Sequence, residues 1–192
     1  MLYTYLANLM EIIKEFRSID FLTLLVFLRI IYSSIRSGLF SEGVKITGVF
    51  LGSFFSLQFY PFFLRKYKSG VLKQAYLDFF SVILIFCGIV VLFFLLVKVF
   101  MMLEKERKIS PLERIFSLCA GMMRASLLVS IFIFSFSFLP PNENPYKGSL
   151  SSKFLKQVAP WTYIYSFKFF EKINPSWEFN KEVKIYEVKK DL

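Results

Sequence analysis

From Leu2 to Phe16 the apolar residues Leu2, Leu6, Leu9, Ile13 and Phe16 recur at helical spacing, while Asn8, Glu11, Glu15 and Ser18 fall on the other side. That pattern predicts an amphipathic helix over residues 1–19, lying in a membrane interface with its polar face in water. Glu11, Lys14, Glu15 and Arg17 stand where the apolar core of a signal peptide would continue, and no small-residue cleavage site follows, so no cleaved segment is expected. From Asp20 onward the pattern changes. Apolar residues fill every face of four long stretches, 20–36, 43–63, 77–99 and 117–139, and charges gather between them. A helix needs about 20 residues to cross a ~30 Å hydrocarbon layer. The last three stretches suffice. The first is short and contains Arg29; local thinning of the bilayer or length borrowed from the preceding helix would let it cross, a re-entrant hairpin with the second is the alternative, and a full crossing is expected.

The joints are marked by residues that stop or start helices. Asp20 is expected to cap the first span, Ser37 and Gly38 to end it, and Pro61 to kink or stop the second. Arg65, Lys66, Lys68 and Lys73 form a basic connection, and Ser110–Pro111 after Glu104–Lys108 reads as a helix start with proline in its first turn. Pro140, Pro141 and Pro145 close the fourth span. Beyond them, Trp161, Tyr163, Tyr165, Phe167, Phe169 and Phe170 give residues 140–192 an aromatic, amphipathic and basic character. This run is too short and too charged for a fifth span, so an interfacial tail is expected, with a mobile segment at 181–192.

Composition supports lipid as the solvent. Hydrophobic residues make up 56% of the 192, and with only 20% charged a soluble domain could not cover its surface. The net charge of +10 arises from basic residues flanking the apolar stretches, which fits topology and lipid headgroups rather than nucleic acid. Basic residues at the amino end, in the 64–76 connection and early in the tail slightly outnumber those on the other side, which favours both termini inside.

Histidine is absent, which removes imidazole-dependent nucleophiles, general bases and metal sites. The acids are scattered, no nucleotide-binding motif occurs, and Cys87 and Cys119 read as small buried hydrophobes. No enzymatic activity, metal or cofactor is expected. Gly48, Gly52 and Ser56 place three small residues on one stripe, where a helix of this chain, a second copy or a partner could approach closely. Arg29 and Arg124 lie inside apolar stretches, where each needs a headgroup, water or an acid such as Glu42, Asp78 or Glu113. Ser33, Ser34, Ser126, Ser130, Ser135 and Ser137 either line a polar path or bond their own preceding turns.

Two segments resemble the colicin V production protein (CvpA) family. One is Asp20 followed by Ile35-Arg36-Ser37-Gly38-Leu39-Phe40-Ser41-Glu42 and the glycines Gly48 and Gly52. The other runs from Leu112 to Ala125 and contains Glu113, Arg114, Gly121 and Arg124. The order and hydropathy agree over residues 20 to about 165. Departures are a basic residue displaced by one before Gly38, Glu113 in place of aspartate, and Ser117 and Ala125 in place of glycines. The resemblance implies a small bacterial inner-membrane protein of about four spans, in a family named for production of a peptide toxin. Related membrane domains occur fused to trypsin-like proteases, a chemistry that a chain without histidine does not carry.

The expected molecule is an all-α integral membrane bundle: an interfacial helix at 1–19, a four-span membrane domain at 20–139 and an interfacial tail at 140–192. Its expected role is non-enzymatic support of toxin export and envelope maintenance through helix contacts, with membrane lipids and a second copy or a membrane-protein partner. The rival reading is a small channel or transporter in which Arg29 and Arg124 face a polar pathway.

Overall fold

Long apolar stretches separated by proline, glycine and charge fold as helices because a helix satisfies its own backbone polar groups within one segment. The computed structural model describes residues 16–65, 74–103, 110–173, 178–181 and 183. Its helices are α1 (Ser18–Arg36), α2 (Leu39–Arg65), α3 (Gln74–Leu103), α4 (Pro111–Phe136), the short α5 (Leu150–Leu155) and α6 (Val158–Ile173). The chain is all-α, with no strand among the described residues. The expected interfacial helix over 1–19 lies outside the described residues as far as residue 15, and its last two residues, Ser18 and Ile19, already belong to α1.

Among the described residues, three helices are long and apolar enough to cross a membrane: α1, α3 over Gln74–Phe100, and α4. The sequence reading had four. The difference is α2, which has the length at 27 residues but carries Glu42, Lys45 and Gln58. Its position explains its polarity, because α2 packs against α3, α4 and α6 and so can bury polar groups against protein. It also runs through Pro61 to Arg65 without ending there. Along one side of α2 the small-residue stripe faces α3. A Cβ at Gly48 would fall 2.5 Å from the Cβ of Phe93, and one at Gly52 would fall 3.1 Å from the Phe86 ring. At Gly48 a side chain would collide with Phe93, and at Gly52 it would fit only if the Phe86 ring gave way by a few tenths of an ångström, because the α2 backbone lies directly against α3.

Consecutive helices α1 and α2 do not lie side by side. The principal neighbour of α1 is α4, which also packs on α2. The chain therefore opens at Ser37–Gly38 into a fork whose arms are bridged by α4. The two helices α1 and α4 are antiparallel, since Asp20 in the first turn of α1 bonds Leu150 and Ser151, which follow α4.

Asp20 was expected to cap the first span, but the N-cap position is Arg17 and Asp20 sits three residues inside. Its carboxylate accepts from Arg17 N at 2.9 Å, from Leu150 N at 3.3 Å, from Ser151 N at 2.8 Å and from the Ser151 hydroxyl. One acid thus satisfies orphan amides at the starts of both α1 and α5. Ser130 of α4 serves α6 likewise, accepting from Ala159 N at 2.7 Å. The tail helix α6 buries Ala159, Pro160, Tyr163 and Phe167 against the bundle, and Trp161, Tyr165, Phe169 and Ile173 remain outside.

Candidate functional site

The most unusual chemistry of the molecule is a buried ionic cluster in the fork. Glu42, in the first turn of α2, is completely buried. Its Oε1 accepts from Lys45 Nζ at 2.8 Å, and its Oε2 lies 3.3 Å from Arg124 Nη2 and accepts from the Ser34 hydroxyl at 3.0 Å. Lys45 Nζ also donates to Ser37 Oγ at 2.9 Å, and Arg124 Nη2 to Ser34 Oγ at 3.3 Å. The last turn of α1, the first two turns of α2 and the middle of α4 are thereby joined through one carboxylate. A buried charge is tolerated only when paired and hydrogen-bonded, and Glu42 is both.

Local sequence places each member. Glu42 and Lys45 stand three residues apart, on one face of α2. Arg124 reaches them because Gly121, one turn before it, lets α1 approach. A Cβ at Gly121 would fall 2.1 Å from Ser34 Oγ and 2.5 Å from Ser34 Cβ. Among the described residues, the buried Arg124 Nε and the hydroxyls of Ser41, Ser117 and Thr23 have no hydrogen-bond partner.

The sequence-derived candidates divide clearly. Glu42, Gly121 and Arg124 come together in the fork. Gly48 and Gly52 lie against α3 of the same chain, so of the contacts open to the stripe, a helix of this chain, a second copy or a partner, the first covers it. Ser56 is also buried and bonds Ser53 O at 3.0 Å. Arg36 is exposed, its guanidinium 4.5 Å from the Tyr32 ring centre, and Gly38 has open space where a Cβ would stand. Glu113 accepts from Ser110 N at 3.2 Å at the start of α4, and Arg114 is exposed.

Arg29 is exposed on α1, whereas Arg124 is buried and paired with Glu42. Ser34, Ser126 and Ser135 each donate to the carbonyl four residues back and Ser137 to the one three back. Cys87 and Cys119, expected to be buried, are exposed on the apolar exteriors of α3 and α4. In a membrane protein an apolar residue can face lipid as readily as core, so hydrophobicity alone did not assign their side.

Sequence reasoning missed Lys45 as a site residue and missed Ser34 and Ser37 as its neighbours. The spacing of Glu42 and Lys45 was the available signal for the first. It also missed the pin on the tail: the Tyr163 hydroxyl donates to Gln58 Oε1 and accepts from Asn180 N at 3.1 Å, while Gln58 Nε2 donates to Glu178 O at 2.9 Å. Burial pushes the Tyr163 phenol up to about 12, opposed by the Asn180 amide.

An all-helical bundle with three membrane-length apolar helices and a protein-enclosed ion cluster defines a helical membrane protein. The family model described as colicin V production protein matches residues 19–160, from the start of α1 to the start of α6, and the chain belongs to that family. No curated protein and no solved structure matches the chain.

Proposed function

We propose that the protein is a non-enzymatic, multi-pass component of the bacterial inner membrane that supports production or export of a colicin V-like peptide toxin and upkeep of the envelope. It acts through contacts of its membrane helices with a second copy or a membrane-protein partner, with α2 as a fourth crossing and both termini in the cytoplasm. The observation that carries this reading is the fork: Lys45 and Arg124 are both engaged with Glu42 and, through Ser34 and Ser37, the cluster holds three helices together. Charges so engaged serve the bundle's architecture, and family membership supplies the biological setting. With the Gly48–Gly52 stripe covered by α3, the exposed Phe21, Leu25, Leu28 and Tyr32 support the outward face of α1 as the contact surface of this reading.

The test uses cells that secrete a colicin V-type peptide. Deletion of the chain is expected to lower the exported toxin, with recovery by the wild type and by Cys87→Ala but not by Glu42→Gln. Photo-crosslinking probes at Leu25 and Leu28 are expected to capture a discrete protein or a second copy. Undiminished export after deletion would remove the export role. Ion flux through liposomes that changes in Arg124→Gln at equal protein abundance would replace this reading with a channel.

A further inference from the structure

Among the described residues, the charges in the fork do not balance. Lys45 and Arg124 contribute two positive charges and Glu42 one negative, and all three are at most 8% exposed. Among the described residues no second acid reaches them. A surplus buried cation is costly, and the usual remedy is a counter-ion. The same place holds unused donors. Arg124 Nε–H has no acceptor, and the buried hydroxyls of Ser41 and Ser117 have no partner.

Register brings these groups to one region. Ser117, Gly121 and Arg124 share a face of α4, and Gly121 of that face touches Ser34 near the end of α1. Because α1 and α4 are antiparallel, Ser117 lies one turn nearer the fork's base than Gly121. Ser41 stands one turn before Lys45 on α2, whose Nζ reaches Ser37 at that base. The start of α2 also points there, and the orphan amides of its first turn add positive potential.

We propose that the base of the fork binds one phosphate-type oxyanion of single charge, held by Arg124 Nε and the Ser41 and Ser117 hydroxyls and balanced by the surplus charge of Lys45 and Arg124. The oxyanion comes either from the headgroup of an anionic phospholipid beside the hairpin or from free phosphate. The inference is independent of the export role.

The experiment takes the full chain, delipidated in an uncharged detergent, and follows its Tm during titration with phosphatidylglycerol, with inorganic phosphate and with phosphatidylcholine as control. Saturable stabilisation by phosphatidylglycerol or phosphate beyond the control is expected. Stabilisation by phosphatidylglycerol alone identifies the headgroup as the source, and a response to phosphate identifies the free ion. Ser41→Ala and Ser117→Ala are expected to weaken apparent affinity at least ~10-fold, the loss of one hydrogen bond to a charge. Lys45→Met, which leaves a balanced Glu42–Arg124 pair, is expected to abolish the response. An absent anion response, or one that all three variants retain at wild-type strength, overturns the proposal. In an unliganded fork Ser117→Ala only removes an unpaired buried hydroxyl, so it would leave Tm unchanged or raise it without any dependence on anion.

Discussion

Glu42 holds Lys45 of its own helix, Arg124 of α4 and the Ser34 hydroxyl of α1, and removing its charge would leave Lys45 and Arg124 buried without a counter-charge. Glu42→Gln is therefore expected to cost about 3–5 kcal/mol, measured as a lowered unfolding midpoint in detergent. Combined with Arg124→Met, the loss should be smaller than the sum of the single effects, because each single variant strands the other's charge. At Gly121 the added methyl of alanine would displace the Ser34 side chain from its position between Ile30 O, Glu42 and Arg124. Gly121→Ala is expected to lower stability by about 1–3 kcal/mol, read from the same midpoint, while Arg29→Gln, exposed and outside the cluster, should change it by less than about 0.5 kcal/mol.

The tail helix α6 illustrates how an element is held from outside itself. Its first turn takes Ser130 as a cap, its buried side packs Phe170 at 4.5 Å and Tyr163 at 5.4 Å from the Phe54 ring, and the Tyr163 hydroxyl ties Gln58 to Asn180. Tyr163→Phe keeps the packing and removes the pin, and is expected to raise hydrogen exchange at residues 178–181 at a cost of about 1 kcal/mol. The phenol also sets a pH dependence. Its folded value of about 12 lies above the ordinary 10, so the folded protein retains the proton more tightly than the unfolded chain. That contribution is complete below pH 10 and is lost as pH rises toward 12. Stability measured from pH 9 to pH 12 should fall in the wild type and stay flatter in Tyr163→Phe.

Taken whole, the molecule presents lipid-like surface almost everywhere its long helices face outward. On α3 alone Phe80, Leu84, Val91, Leu92, Leu95 and Val99 are each more than half exposed, far beyond the apolar patches of a soluble monomer. The protein is expected to remain in the membrane pellet after alkaline carbonate washing and to leave it only with detergent. Cys87 and Cys119 belong to the same outer surface. Cys87→Ala and Cys119→Ala should each shift stability by less than about 0.5 kcal/mol, checked by Tm, because each side chain exchanges lipid contact for lipid contact.

Several features were legible in the residues themselves. Long apolar runs bounded by Ser37–Gly38, Ser110–Pro111 and the prolines from Pro140 onward determined helices and their ends, since a backbone in lipid must bond within its own segment. The glycine stripe declared a close helix contact but did not say with what. Tertiary structure put α3 against it. It also set α4 between the arms of the fork, which paired Arg124 with Glu42 and with Ser34 ninety residues away and left Arg29 outside. Such choices have no local signal. An apolar face can meet lipid or protein with similar ease, and a buried charge finds its partner only once helices distant in sequence have packed.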